Sequence, residues 1–518
     1  MQRYSILWAD DEIELLKPHI IFLKSKGYDV TPVQSGADAL EKCLEGKFDV
    51  VFLDENMPGM SGLETLSQIK ASKPTLPVVM ITKSEEEHIM EEAIGAKIAD
   101  YLIKPLNPNQ ILLSVKKILE NKKLITEKTN IGYQQDFRNL SMAYNDRIGH
   151  NDWVEIYKKL IYWELELDTT QNSTMRDILE MQKSEANKNF SKFIMEEYES
   201  WLNDPSGDKP LLSHQIMKKK AFPLLEGSEE PVFFVLIDNL RYDQWKILQP
   251  IIEEYFDVKE ESTYYSILPT TTSYARNAIF SGLLPSEMEK RHPELWVHDD
   301  EEESKNNFEE DFLKHQLSRN RINAKFSYNK VTNNTLGKTL VDNIPNLMSN
   351  KLNVIVYNFV DMLSHARTDM AMIRELAPDE SAYRSLTNSW FLHSPLLDSL
   401  KRIAEKKVKL IITTDHGTIR VKRPFKIVGD KTTNTNLRYK QGKNLGLEEK
   451  DVFINRKPEK IFLPKRNVST AYVFAIEDYF FAYPNNYNYY VNYYKDTFQH
   501  GGISLEEMIV PIITLSSK

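Results

Sequence analysis

Asp10, Asp11, Asp54, Thr82 and Lys104 near the amino end, and Asp238, Thr271, Asp361, His365, Asp415, His416 and His500 farther along, are residue types that handle metal ions and phosphate. Three carboxylates gathered at one point make a hard-oxygen site for Mg2+ with a position left for phosphate oxygens. A lysine beside them could neutralise a phosphoryl group carried on Asp54. The later mixture of Asp and His suits Zn2+, with Mn2+ also tolerated, and so many ligands fit two ions better than one. Two ions roughly 4 Å apart can clamp a phosphoryl group, which leaves a nucleophile to be found. The run Pro269, Thr270, Thr271, Thr272, Ser273 offers hydroxyls where a helix is expected to begin. Thr271 is the expected attacking group, with Thr270 and Thr272 open alternatives. Any one of these residues alone is more often a helix cap or a structural residue, so only the sets point to chemistry.

The secondary structure that carries these residues follows from hydrophobic periodicity. From residue 4 to about 120, apolar runs at Tyr4–Trp8, Tyr28–Thr31, Val50–Leu53, Val78–Ile81 and Tyr101–Ile103 alternate with helical patterns at 12–26, 37–46, 62–72, 85–95 and 108–120. This predicts a small doubly wound α/β sheet, with the acidic residues at the carboxyl ends of its strands. Residues 121–206 lack strand patterns and space Trp153, Ile156, Tyr157, Leu160, Ile161 and Trp163 as a helix does, predicting a helical connector or bundle. Pro and Asp punctuate 204–210 as a linker. Residues 207–518 return to strand runs at Val232–Ile237, Asn353–Val360, Lys409–Thr413 and Met508–Leu515, a large α/β domain in which Asp238, Asp361 and Asp415 again follow strands. His365 lies four residues past Asp361, a spacing that can turn both toward one ion, and Gly417 permits a tight turn after His416.

The first set, with the run Leu53, Asp54, Glu55, Asn56, Met57, Pro58, Gly59, Met60, Ser61, Gly62, resembles the receiver domain of two-component response regulators over residues 1–120. The resemblance implies Mg2+ held by Asp10, Asp11, Asp54 and the backbone of Asn56. It makes Asp54 the phosphoacceptor, Thr82 the hydroxyl that moves onto phosphate, Tyr101 the aromatic switch and Lys104 the phosphate-contacting cation. The second set resembles the alkaline phosphatase superfamily over residues 211–518, and the context Ile237, Asp238, Asn239, Leu240, Arg241 is similar to its PglZ subgroup. That resemblance implies one Zn2+ on Asp238, Thr271, Asp415 and His416 and another on Asp361, His365 and His500. Over its whole length the chain resembles a family of response regulators associated with type IX secretion in Bacteroidetes. The family implies a cytoplasmic regulator, a sensor histidine kinase as phosphate donor, and a homodimer on phosphorylation. It further implies phosphodiesterase action on nucleotides or oligonucleotides, and contact with a sigma factor.

Bulk properties bound the rest. A chain of 518 residues is too long for one core. Its 41% hydrophobic and 27% charged residues, with a net charge of −9, are ordinary for globular domains. One cysteine, Cys43, excludes an intrachain disulfide framework and fits a reducing compartment. No apolar run reaches the length of a membrane span and the amino end enters a strand at once, so no leader and no membrane insertion are expected. Residues 299–311 hold eight acids and read as a solvated loop. Residues 418–466 carry 14 Lys or Arg against 5 Asp or Glu, a net +9 that would attract a polyanion. Residues 479–494 hold nine aromatics. Bases could stack there, yet such runs are more often core strands. Arg241 and Arg276 are candidate phosphate contacts. No recognisable DNA-binding helix pair follows residue 120. The competing function is a regulatory interaction protein that binds a transcription factor and keeps a structural or vestigial metal site.

Overall fold

The computed structural model describes residues 4–74, 76–83, 98–119, 133, 148–168, 173–204, 207–227, 229–298, 305–428, 434–442 and 452–518. The helix expected over 85–95, most of the connector between 121 and 147, residues 205–206 of the linker, the acids 299–304, and 429–433 and 443–451 of the basic stretch lie outside them. The chain divides into two compact units, Met1–Asp136 and Phe137–Lys518.

The first unit is a five-stranded parallel sheet. Its strands are β1 (Ser5–Ala9), β2 (Asp29–Val33), β3 (Val50–Asp54), β4 (Val78–Thr82) and β5 (Asp100–Ile103), in the order β2-β1-β3-β4-β5. β3 and β4 are buried at every residue, which is why they read as unbroken apolar runs rather than alternating ones. One face packs Ile6, Trp8, Phe52 and Ile81 and the other Leu7, Val51, Leu53 and Met80. The helix α1 (Lys17–Ser25) continues from a 3-10 turn with Pro18 in its first turn, whereas α2 (Gly36–Glu45) and α3 (Gly62–Ser72) begin where short polar side chains satisfy free backbone amides. Ser35 accepts from the Asp38 amide, and Ser61 with Glu64 forms a reciprocal capping box. Residues 108–119 are helical, as their spacing predicts. The stretch read as a helix from residue 12 begins as a 3-10 turn, Ile13–Leu16, and becomes α-helical only at Lys17.

The second unit contains two long helices, α4 (His150–Asp168) and α5 (Ser173–Asn203), and a six-stranded mixed sheet. Its strands are β6 (Val232–Ile237), β7 (Phe256–Tyr265), β8 (Phe326–Val331), β9 (Leu352–Tyr357), β10 (Lys409–Thr413) and β18 (Ile509–Ser517), in the order β7-β18-β10-β6-β9-β8. The four strands β10, β6, β9 and β8 run parallel, and β18 is antiparallel to both its neighbours. Smaller sheets stand beside it: β11 (Ile419–Arg420) with β17 (Phe498–Gln499), β12 (Arg423–Lys426) with β16 (Tyr479–Ala482), and β13 (Tyr439–Gly442) with β15 (Ala471–Ala475) and β14 (Val452–Asn455). Trp153 of α4, Phe190, Phe193 and Trp201 of α5 and Tyr265 of β7 form one aromatic cluster, so the two helices share a core with the sheet. A buried ionic net adds to it, with Arg384 bound to Glu164, Asp168 and Asp243. Among the described residues no helix is long and apolar enough to cross a membrane.

Two metal-type centres at strand ends

In the receiver-like unit, Asp10 follows β1, Asp54 ends β3, Thr82 ends β4 and Lys104 follows β5, so the topology brings them to one edge. The carboxylates of Asp10, Asp11 and Asp54 offer ligand atoms within 4.8 Å of one another. This acidic triad fits Mg2+. Lys104 Nζ stands 2.8 Å from Asp10 Oδ2 and 2.8 Å from Asp54 Oδ1. Burial raises the Asp54 pKa, aided by the charge of Asp10, although Lys104 pulls against it. Burial alone would lower Lys104, but its hydrogen bonds to Asp10 and Asp54 leave it raised. The Thr82 hydroxyl bonds to Glu55, Tyr101 is half-buried on β5, and Asn56 is exposed in the loop after β3. Gly62 is required behind that loop, because a Cβ there would sit 2.3 Å from the carbonyl oxygen of Asp54.

In the larger unit the central strands β10, β6 and β9 deliver the ligands together. Asp238 follows β6, Asp415 and His416 follow β10, and Asp361 and His365 lie on α6 (Phe359–Asp369), which starts two residues past β9. His500 follows the short strand β17, which pairs with β11 just beyond His416. Two groups result, Asp238 with Asp415 and His416, and Asp361 with His365 and His500, each with ligand atoms within 4.8 Å. This is the grouping that the resemblance implies for six of the seven residues. The groups adjoin, since the His416 and His500 rings stack at 4.3 Å and Asn239 hydrogen-bonds to both Asp415 and Asp361. Asn239 takes a left-handed conformation, φ 63°, which asparagine tolerates and which turns its amide inward.

The imidazoles are held for ligation. His416 Nδ1 contacts the Gly417 carbonyl at 3.1 Å and His500 Nδ1 the Thr270 carbonyl at 3.3 Å. Each Nδ1 then carries the proton, leaving Nε2 with its lone pair toward the acids. Burial raises Asp238 and Asp415, each further raised by acidic neighbours. Asp361 is half-buried, which would raise it, but its three histidines hold it low. Burial and His416 push His500 down to about 3. Three crowded carboxylates and neutral imidazoles are short of positive charge, and Asp415 Oδ2 is buried with no hydrogen-bond partner. The donor set therefore fits a divalent cation, and a buried Asp/His group of this kind could hold one.

The hydroxyls divide. Thr272 lies 3.3 Å from Asp238 Oδ1 and 3.1 Å from His416 Nε2, whereas the Thr271 hydroxyl contacts Ser273 at 3.2 Å and Thr270 donates to the Gly502 carbonyl. The expected helix start is a single π-helical turn, Thr272–Arg276, capped by Thr271. All three threonines border the site, and Thr272 is the one turned onto the first ligand group. Gly417 serves closeness more than turning, because a Cβ there would lie 1.9 Å from the Glu506 carbonyl oxygen. A cleft of about 590 Å3 opens over the groups, lined by Thr271, Thr272, Asp361, His365 and His500 among others.

Both arginines prove structural rather than phosphate-facing. Arg276 is 1% exposed, donating to Asp238 Oδ2 at 2.9 Å and Glu309 Oε1 at 2.6 Å, and Arg241 is locked onto Asp243 and Glu380. Glu309, a further partner of Arg276, was not visible as a site residue because it lies near no candidate ligand in sequence, and Asn358, three residues before Asp361, also accepts from Arg276. The aromatic stretch also splits: β16 is the buried strand expected, but residues 487–494 form a helix with no buried residue.

Similarity to known proteins follows the same division. Residues 6–116 match the response regulator receiver domain, residues 123–202 the PorX response regulator linker domain, and residues 216–515 the BREX system PglZ alkaline phosphatase-like domain. The transcriptional regulatory protein ResD of Bacillus subtilis is 34% identical over 114 residues, 22% of this chain and 47% of ResD. ZraR of Escherichia coli O157:H7 is 36% identical over 124 residues, 24% of this chain and 28% of ZraR. The chain thus spans about half of the one and under a third of the other. Among solved structures, chemotaxis protein CheY4 of Vibrio cholerae is 27% identical, with 23% of this chain and 99% of that one covered at a TM-score of 0.22. The PglZ match takes in more than half of the residues, and the three matches follow one another in the order receiver, linker, phosphatase-like domain. The chain belongs to the PglZ alkaline phosphatase-like family and is a PorX-like response regulator.

Proposed function

We propose that the two regions form a switch and its output: Asp54 accepts a phosphoryl group from a sensor histidine kinase, and the Asp/His centre hydrolyses phosphodiesters of nucleotides or oligonucleotides with two bound Zn2+. The observation that carries the catalytic half is the pair of adjoining carboxylate–imidazole groups with the Thr272 hydroxyl 3.1 Å from His416 Nε2. Asp238, Asp415 and His416 would hold one ion, with Asp361, His365 and His500 on the other. Bound there, the cations supply Lewis-acid neutralisation of phosphoryl oxygens and lower the pKa of an oxygen nucleophile. The chain's own residues do the positioning. Asn306 donates to the Thr272 carbonyl at 3.1 Å and steadies the hydroxyl-bearing turn. Arg276 fixes the Asp238 carboxylate, and the two Nδ1 contacts aim the imidazoles. Thr272 is the attacking group in this reading, with Thr271 its competitor. In the receiver half, Lys104 exchanges its contact with the Asp54 carboxylate for the phosphoryl group, and Thr82 leaves Glu55 to meet it. The switch would act through dimerisation, a coupling of about 1 to 3 kcal/mol, and would serve regulation of type IX secretion, with a sigma factor as a further partner.

The test is hydrolysis of bis-p-nitrophenyl phosphate and p-nitrophenyl phosphate by zinc-loaded full-length protein beside Thr271→Val and Thr272→Val. Turnover of the diester that Thr272→Val abolishes is the expected result. If the wild type turns over neither substrate, the enzymatic reading fails, and if only Thr271→Val is inactive, the nucleophile moves to Thr271. Acetyl phosphate labelling that survives Asp54→Ala would overturn the phosphoacceptor.

A further inference from the structure

The tyrosine-rich helix α7 (Tyr487–Tyr494) has no buried residue, an unusual condition for a segment carrying five tyrosines in eight positions. Tyr489 is 65% exposed and Tyr490 39%. The rings stand in two nearly parallel pairs, as side chains four apart on a helix do. Tyr489 and Tyr493 are 6.1 Å apart at 15°, and Tyr490 and Tyr494 are 6.2 Å apart at 11°. Tyr489 and Tyr490 are thus open to solvent, whereas Tyr493 and Tyr494 are partly covered.

The helix is also joined to the catalytic cleft. Tyr494 lines the cleft that holds Asp361, His365 and His500, while Val491 and Tyr494 pack on Ile419, Val421 and Phe480. The helix is therefore anchored on β11 and β16, beside the strands that begin the net +9 stretch 418–466. Arg374 lies 5.5 Å over the Tyr493 ring and Lys305 lines the same cleft as Tyr494, so one cation accompanies the tyrosines and another the candidate ligands. Exposed aromatic rings near cations suit single-stranded nucleic acid, since every base offers a π-face and every linkage a negative charge.

We propose that α7 is a stacking platform for the bases of a single-stranded oligonucleotide whose phosphodiester enters the Asp/His cleft. This rests on the phosphodiesterase reading and narrows its substrate to a single strand longer than one nucleotide, with Tyr489 and Tyr490 the residues that select it. The continuity of the helix with the cleft through Tyr494, together with the cations Arg374 and Lys305, favours this occupant over a second copy of the chain.

The experiment measures fluorescence anisotropy of fluorescein-labelled dT12 with chelator-stripped full-length protein, so that binding is read without cleavage. At about 1 to 3 kcal/mol per stacked base, Tyr489→Ala with Tyr490→Ala should weaken dT12 binding at least about tenfold, while the double Phe variant stays within about twofold of the wild type. In zinc-loaded protein the ratio of kcat/KM for dT12 to that for bis-p-nitrophenyl phosphate should fall by a similar factor in the Ala variant. Equal binding by wild type and Ala variant overturns the platform, as does equal loss in the Phe variant, which would assign the effect to the hydroxyls. A change in sedimentation on Ala substitution, with dT12 binding unaltered, assigns the face to a second copy and also overturns it. Wild-type protein that hydrolyses the chromogenic diester yet neither binds nor cuts dT12 sinks this inference alone. Failure to hydrolyse any diester sinks the phosphodiesterase reading, and the binding measurement still reads the platform.

Discussion

The two acidic centres hang their carboxylates on the same topological place, the carboxyl ends of parallel strands, but they neutralise them in different ways. In the receiver, Lys104 reaches both Asp10 and Asp54 at 2.8 Å from a side chain 13% exposed, and Asp11 stays open to solvent. An ammonium on a flexible stem can yield its place to Mg2+ or share a phosphoryl group. In the larger unit the compensating cation is Arg276, 1% exposed and pinned by Glu309 as well as Asp238, with Asp415 Oδ2 3.8 Å from it but without a hydrogen bond and the imidazoles of His416 and His500 nearby. A fixed guanidinium shared among several carboxylates leaves negative charge uncompensated, a setting that could hold a divalent cation. The contrast is between an exchangeable counter-ion suited to a switch and a resident one suited to a catalyst.

The sharpest way to break this contrast is to remove a resident ligand. Asp415→Asn keeps the shape and removes the charge that an ion would meet. It should lower diester hydrolysis about a thousandfold or more, roughly 4 kcal/mol of transition-state stabilisation. It should also reduce bound zinc, read by chelator competition. If zinc content and rate both survive, the buried group is structural and the contrast fails.

Next in size is the compensating cation itself. Arg276→Met takes the guanidinium from two buried carboxylates, leaving Glu309 only Lys330 and Tyr328 and Asp238 only Thr272 and His416, and breaking a buried pair in this way costs about 3 to 5 kcal/mol. Lys104→Met should cost only about 1 kcal/mol in the presence of Mg2+, because water and the ion reach the exposed side of its pocket. Hydrogen exchange of peptides from β3 and from β6 in metal-free and Mg2+-containing buffer reads the two separately. Equal losses would mean that the two cations play one role.

How far this contrast can be seen in the chain before it folds depends on distance along it. The receiver site was legible because each residue directly follows a short apolar run, and β3 with its loop carries Asp54, Asn56 and Gly62 within nine positions. The positions of the candidate ligands Asp238 and Asp415 were legible for the same reason, since a strand's end is marked locally. Arg276 was not, because nothing beside it tells a helical arginine on the surface from one bound to Glu309 across 33 positions. Which of Thr270, Thr271 and Thr272 faces Asp238 and His416 was equally out of reach, since successive side chains in a turn point different ways and the π-helical turn is what brings Thr272 to them. The tyrosines of α7 misled by propensity, as tyrosine favours strands. Their pairing at 489 with 493 and 490 with 494 is the four-residue period of a helix, a signal present all along.

The smallest effect concerns acid, and it takes opposite signs in the two units. His214, in the output unit, is pushed down to about 4 by burial and by Lys209, and its Nδ1 has no partner. Its folded pKa lies below the usual 6.5, so the unfolded chain binds the extra proton. The stability from a neutral His214 is complete above about pH 6.5 and drains away as pH falls to about 4, by at most about 3 kcal/mol. Asp54 in the receiver runs the other way. Burial raises its pKa, so the folded state binds the proton more readily. Its contribution is fullest below the ordinary carboxylate pKa of 3.8 and is lost as pH rises through the raised value. Lowering the pH from 6.5 toward 4 should therefore speed amide exchange around residues 212–222 in the wild type, and less so in His214→Gln. Around β3 the same acidification should slow exchange in the wild type relative to Asp54→Asn. A shared direction in both peptides, or a His214→Gln profile as steep as the wild type, would show that acid acts through a common unfolding rather than through these two buried groups.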